Sequence, residues 1–124
     1  MEFKKLKRFD RIYTAEPLLR EYKSLFGKSE EEYNECLRKA MFNLTILDTQ
    51  GLAKALTYQQ FEKLTNEELY AIRHVGKQNP RILFGVFKDD RFVLLSCCKE
   101  KDKKDYDSAI ELANRRAKEL KEKK

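Results

Sequence analysis

The sequence has few of the residue types from which catalytic or metal sites are most often built. Its 124 residues include a single histidine, His74, and three cysteines, Cys36, Cys97 and Cys98. An odd cysteine count with an adjacent pair is not a disulfide framework and is typical of a reducing compartment. A zinc site would need all three thiols, yet adjacent residues of a strand point to opposite faces. We therefore expect no metal or other cofactor and interpret the cysteines as core residues.

Long apolar segments and a glycine-rich phosphate loop are also missing. The apolar runs, such as ILFGVF and FVLL, are far shorter than the roughly 18 residues of a membrane-spanning helix. The N-terminal MEFKKLKRFD has no apolar stretch of the kind found in a secretory signal, so we expect a cytoplasmic protein. At this length we expect a single domain over residues 1–124, long enough to bury a core of its own.

Positive charge is what the sequence has in excess. The chain carries 27 lysines and arginines against 21 acidic residues, which gives a net charge of +6 and a pI near 9.2. This balance favours a polyanionic partner, which is either nucleic acid or an acidic protein surface.

Residues 1–66 are predicted to be mainly helical, with a possible N-terminal strand. The lysine-rich residues 1–11 alternate loosely with apolar residues, as in an edge strand protected by charge. Pro17 suits the first turn of a helix whose apolar residues recur at spacings of three and four. Gly27 stands where a helix commonly ends.

A second helix is predicted from a capping box. Ser29 can accept a hydrogen bond from the backbone of Glu32, and acidic side chains suit a first helical turn. The apolar stripe that follows predicts a helix ending near residues 48–51. Residues 52–65 fit either further helical turns or an ordered connection.

Residues 67–98 are predicted to form a three-strand meander, because apolar residues alternate from Leu69 onward. Arg73 ends the first strand and Arg81 begins the second, so antiparallel pairing brings them together, with Lys77 on the turn. The second and third strands are apolar on both faces, which is typical of central strands.

Residues 99–124 are predicted to be a basic segment and a C-terminal helix. Asp105 or Asp107 can cap this helix. Its apolar positions form a narrow stripe of Ile110, Ala113, Ala117 and Leu120. Arg115 and Arg116 are predicted to lie outside that stripe.

A set of basic side chains is the strongest candidate for a functional site, because the third strand ends beside Arg73 and Arg81. The catalytic candidates are Arg73, Arg81, Lys101, Lys104 and Tyr106, and the RNA-binding candidates are Lys77, Lys99, Lys103 and Arg115. Arginine and lysine donors can stabilise a phosphate attacked by a ribose 2′-hydroxyl. A Lys or Tyr can move protons there if neighbouring positive charge lowers its pKa. The charged run also fits a solvated face, and Tyr106 also fits a packing role.

The second half of the chain resembles the HigB-like toxins of the RelE/ParE superfamily. The L-Y/W-E-L-R core of that family is matched by Leu69–Arg73, and its R-[IV]-L-[YF] strand by Arg81–Phe84. The R-x-[VI]-L-L strand is matched by Arg91–Leu95, and the I-E-x-A-x-R-R helix by Ile110–Arg116. The chain departs from the family pattern at Ser96, where a histidine is common, at Glu100, and at Asp105-Tyr106.

The resemblance implies a RelE-like α+β fold, in which N-terminal helices pack on one face of a small twisted, mainly antiparallel sheet. The other face would form an RNA cleft, and a C-terminal helix would complete the domain. The implied function is that of the toxin of a type II toxin–antitoxin system. Many such toxins are metal-independent endoribonucleases that cleave mRNA on the ribosome and inhibit translation, and the resemblance implies this activity here. The implied partners are mRNA, the ribosome and a cognate antitoxin, expected to be a helix-turn-helix protein. A catalytically degenerate binding module and a ParE-type gyrase inhibitor are the alternatives.

Overall fold

Six strands and three helices are present in the computed structural model, which describes residues 1–65, 67–74, 79–88, 90–99 and 103–122. In chain order they are β1 (Phe3–Lys5), β2 (Ile12–Ala15), α1 (Leu18–Ser24), α2 (Glu30–Ala55), β3 (Phe61–Lys63), β4 (Tyr70–Arg73), β5 (Pro80–Phe87), β6 (Arg91–Lys99) and α3 (Lys103–Glu122). The strands form one sheet in the order β1-β2-β6-β5-β4-β3. β2 pairs with β6 in parallel, and the other neighbours pair antiparallel. The predicted α+β fold is confirmed.

The two central strands, β5 and β6, are covered on both faces, which explains why their sequences are apolar throughout. On one face Phe84 and Leu94 pack with residues of α1 and α2. On the other face Leu83 and Val93 pack with α3. The face expected to be an open cleft is therefore occupied by α3 where it crosses β5 and β6. None of the described helices is long and apolar enough to cross a membrane.

A β-bulge in β6 determines how α3 attaches. Leu83 pairs with Ser96 and Phe84 pairs with Leu94, so Leu95 is an extra residue on β6. Leu95 belongs to the cluster under α3, and the neighbouring Ser96 hydroxyl donates to the Ala109 carbonyl at 2.7 Å. The bulge thus directs two successive residues toward the same helix.

The N-terminal helices follow the predicted signals. The helix after Pro17 ends before Gly27, which has a φ of 58° that favours glycine. Ser29 caps α2 by accepting from the Glu32 N–H at 3.3 Å. α2 is interrupted at Gly51, where φ is 84°, in agreement with the predicted end, and one more turn reaches Ala55.

Two short strands were not predicted. β2 lies between β1 and β6, and β3 lies at the opposite edge of the sheet, within the 52–65 segment. The cysteine interpretation is confirmed, because Cys36 and Cys98 are buried and Cys97 packs against the core.

The C-terminal helix corrects two predictions. α3 begins at Lys103, so Asp105 lies inside its first turn and neither Asp105 nor Asp107 is the cap. Arg116 is buried, although it was predicted to lie outside the apolar stripe. Its guanidinium donates to the Leu95 carbonyl at 2.8 Å and to Glu21 of α1. β2 pairs with β6 as far as Leu94, and Arg116 donates to the carbonyl of the next residue, Leu95.

Candidate functional site

The two arginines meet at one end of the sheet, as predicted. Arg73 and Arg81 are direct register partners across β4 and β5. Arg81 also lies opposite Cys98, and Pro80 lies opposite Lys99. The end of β4, the start of β5 and the end of β6 therefore lie at the same end of the sheet. We call this end of the sheet the arginine edge.

Arg81 is held in place by a carboxylate and an aromatic ring. Its side chain is only 8% exposed, and its Nη1 donates to Glu62 Oε1 at 2.7 Å. Its guanidinium carbon lies 4.5 Å from the centroid of the Tyr106 ring, which is a cation–π contact. Sequence reasoning missed Glu62, because its position depends on β3, a strand of three residues.

Tyr106 projects from the first turns of α3 onto Arg81. Burial raises the pKa of its phenol above the ordinary value of 10.0, and the charge of Arg81 opposes this increase. The condition that neighbouring positive charge lowers this pKa is therefore not met. At neutral pH the phenol is protonated, so it can donate a proton but is a poor base.

Arg73 differs from its strand partner. Its side chain is half-buried, and its guanidinium has no ion pair or hydrogen bond among the residues that the structure describes. The arginine edge thus contains one arginine fixed by a carboxylate and one available to bind an anion.

A comparison with protein families fits this arrangement. Residues 29–118, more than half of the 124-residue chain, match the family model for Phage derived protein Gp49-like (DUF891). The chain belongs to this family. Gp49-like proteins are a RelE/ParE-like toxin family associated with toxin–antitoxin systems. No curated protein matches the sequence.

Not all of the other predicted cations of this Gp49-like protein lie at the arginine edge. Lys103 and Lys104 are exposed in the first turn of α3. The Lys99 ammonium packs 5.4 Å from the centroid of the Phe26 ring, on the α1 side of the sheet. Arg115 is nine residues beyond Tyr106, or about 13 Å along the helix, so it is not brought to the edge. Lys77 and Lys101 lie outside the described residues.

His74 follows Arg73 and helps to close the end of the β4–β5 pair. Its backbone N–H donates to the Pro80 carbonyl at 3.1 Å. Partial burial, and then the nearby Lys39 ammonium, lower the pKa of its imidazole below 6.5. The ring is therefore neutral at pH 7. No cluster of three or more His, Cys, Asp or Glu side chains within the described ranges is placed to hold a metal ion.

Proposed function

We propose that this Gp49-like protein is the toxin of a type II toxin–antitoxin system, of the HigB-like kind, and that it cleaves mRNA on the ribosome without a metal ion. The observation that carries the proposal is the register pair of Arg73 and Arg81 with Tyr106 stacked on Arg81. Membership of a toxin family supports it. Its partners are mRNA, the ribosome and a cognate antitoxin of the helix-turn-helix type.

In the proposed reaction a ribose 2′-oxygen attacks the adjacent phosphorus. The O2′–P bond forms as the P–O5′ bond breaks, which yields a 2′,3′-cyclic phosphate and a 5′-hydroxyl. The proton of the 2′-hydroxyl passes to water. Arg73 binds the non-bridging oxygens, on which negative charge accumulates in the transition state.

Tyr106 is the proposed general acid. Its raised pKa keeps the phenol protonated at neutral pH. The hydroxyl is buried without a hydrogen-bond partner among the described residues, so RNA binding must expose it before it protonates the leaving O5′. Arg81 orients the ring and stabilises the phenolate that forms after proton donation, because the guanidinium lies directly over the ring. Lys101 and Lys104 are proposed as further donors to the phosphate, and Lys77, Lys99, Lys103 and Arg115 as contacts to the RNA.

The test compares induced expression of the wild type, Arg73→Ala and Arg115→Ala. We expect Arg73→Ala to abolish growth arrest and to reduce mRNA cleavage by about 100-fold or more, as for other lost oxyanion donors. Arg115→Ala, an exposed change on α3, keeps a larger part of both activities. Arg81 is best changed to Lys, because Arg81→Ala also removes a buried ion pair. Toxicity of Arg73→Ala equal to that of the wild type contradicts the proposal.

One observation favours a second candidate, a catalytically degenerate module that is held by an antitoxin. The Glu62 carboxylate already neutralises Arg81, so one of the two paired cations is not available to a phosphate. A wild-type protein that binds the product of a neighbouring helix-turn-helix gene but cleaves no RNA supports this candidate.

A further inference from the structure

A polar recess of about 260 Å³ opens beside the end of β4, on the side of the sheet where α2 packs. Lys39 and Phe42 of α2 form one wall, and Gln59 and Gln60 precede β3 on another. Asn43, Arg73 and His74 complete the lining. This combination of an aromatic ring, cations and amides is characteristic of sites that bind single-stranded nucleic acid.

Phe42 is the most unusual residue of the recess. Its side chain is 65% exposed, more than any other large hydrophobic residue in the described part of the chain. No other described aromatic ring or cation is in ring contact with it. A face of the ring is therefore open to stack with a planar ligand, which would remove apolar surface from water.

Two cations belong to the same recess. Lys39 makes an exposed contact of 3.7 Å with Glu35, a kind of pair that contributes little and is readily exchanged for another anion. Arg73 lines the recess from the end of β4, and its register with Arg81 places its side chain toward the face that carries α3. Its guanidinium has no side-chain partner within the described ranges. His74 is neutral at pH 7, because the pKa of its imidazole is lowered. A neutral imidazole has one hydrogen-bond donor and one acceptor for a ligand in the recess.

The amide wall is ordered by its own hydrogen bonds. The Gln60 side chain donates to Asn43 Oδ1 at 2.9 Å, and the Gln60 carbonyl accepts from the Arg73 N–H at 2.7 Å. Gln59 is exposed beside it and offers both a donor and an acceptor. Such amides match the edges of nucleobases, which also combine donors and acceptors.

We propose that this recess binds one nucleotide of single-stranded RNA, with the base stacked on Phe42 and the phosphate on Lys39, next to the end of β4 that carries Arg73. The inference rests on the proposed function, because Arg73 belongs both to the recess and to the arginine edge. RNA bound in the recess is thereby led to the register partner of Arg73, which is Arg81. The cations and amides around Phe42 favour RNA over an apolar protein surface.

The test measures binding of a fluorescent single-stranded 2′-O-methyl RNA, which cannot be cleaved because its 2′-oxygen is blocked. We expect Phe42→Ala to weaken binding at least fivefold, the lower end for losing one stacked base. Phe42→Trp keeps the affinity because it keeps a stacking ring. Leu19→Ala, a change at an exposed apolar residue of α1, is the matched control and leaves binding unchanged.

The contribution of Lys39 to RNA binding is tested by comparing variants of two neighbouring residues. Lys39→Ala is expected to reduce the slope of log K against log salt concentration by about 0.7, the value for one phosphate contact on a single strand. Arg38→Ala, exposed on the same turn but outside the recess, keeps more of that slope. The single imidazole signal of His74 is expected to shift on RNA binding in the wild type and not in Phe42→Ala.

Equal affinity of Phe42→Ala and Leu19→Ala for the RNA overturns the inference. It is also overturned if Phe42→Ala weakens binding of an antitoxin and leaves RNA binding unchanged, which would make the recess a protein site. The proposed function fails separately: RNA binding that depends on Phe42, without any cleavage of unmodified RNA, contradicts the endoribonuclease and leaves the recess in place.

Discussion

Glu21 and Arg116 form a two-bonded ion pair between helices that lie at opposite ends of the sequence. Arg116 Nη1 lies 2.8 Å from Glu21 Oε1, and Nη2 lies 2.6 Å from Oε2. The hydrogen bond to Glu21 is the main reason why the pKa of Arg116 is raised. Arg116 also donates to the Leu95 carbonyl, so the ion pair links α1 and α3 at the Leu95 position of β6.

Removing the carboxylate of this pair is expected to destabilise the fold. Glu21→Ala leaves the Arg116 charge nearly buried without its partner, which we expect to lower the free energy of unfolding by about 2 kcal/mol, reduced from fully buried cases because Glu21 is partly exposed. Urea denaturation measures this change. Glu111→Ala, at an exposed site of α3, is the control and should change stability by less than about 0.5 kcal/mol. Equal stability of the two variants contradicts the prediction.

Ser96 lies buried between β6 and α3. Its side chain is fully buried and its hydroxyl reaches the Ala109 carbonyl, so an imidazole has no room under α3. We expect Ser96→Ala to cost about 1 kcal/mol, the usual contribution of one hydrogen bond. Ser96→His is expected to cost more through overpacking. A thermal melt in which the histidine variant is the more stable of the two would be contrary to this account.

The titration of His74 can be followed without assignment, because it is the single histidine of the sequence. NMR is expected to give a pKa below 6.5, owing to burial first and Lys39 second. Lys39→Ala should move this pKa upward, and Arg38→Ala should move it less. The folded pKa is depressed, so the unfolded chain binds more protons in mild acid. The associated stability is present above pH 6.5 and is lost as the pH falls through the folded pKa.

Cys97 is expected to be a slow thiol. Burial, and then the charge of Glu21, raise its pKa from 9.0 to about 12, so its reactive thiolate is rare at pH 8. We expect iodoacetamide to modify it far more slowly in the native protein than in urea, as read by mass spectrometry. Because the folded pKa is raised, its contribution to stability is complete below pH 9 and is lost as the pH rises toward 12. Equal modification rates in buffer and in urea would refute this prediction.

Glu62 offers a way to separate the two candidate functions. Glu62→Gln removes the charge that neutralises Arg81 and one of the causes that raise the pKa of Tyr106. We expect tighter binding of uncleavable RNA and, if the site is catalytic, altered cleavage with a pH profile shifted downward. Glu111→Gln makes the same change in net charge at an exposed site and serves as the control. Identical RNA affinities for both variants would show that the ion pair does not limit binding.

Local patterns were sufficient to predict the centre of the fold. Alternation from Leu69 onward predicts β4, β5 and β6, and the antiparallel register then places Arg73 beside Arg81. The cap at Ser29 and the break at Gly51 likewise depend on residues close in sequence.

Other features depend on contacts that no local pattern records. β2 has four residues and pairs in parallel with a strand far along the chain, and β3 has three residues. The ion pair of Glu62 with Arg81 depends on β3, which carries Glu62 and has too few residues to show a periodic pattern. An arginine in an amphipathic helix is expected to be exposed. Arg116 is buried because it packs where β6 has its bulge at Leu95 and where β2 no longer pairs with β6.

The position of α3 in the chain has a consequence for the order in which the proposed site is completed. The sheet strands precede α3 in synthesis, whereas Tyr106 and Arg116 are both supplied by α3. A nascent chain that has formed its sheet therefore still lacks the Tyr106 ring over Arg81 and the ion pair between Arg116 and Glu21 of α1. For a protein proposed to cut messages on ribosomes, this order means that the proposed reactive edge is complete only after α3 has been synthesised and has folded onto the sheet.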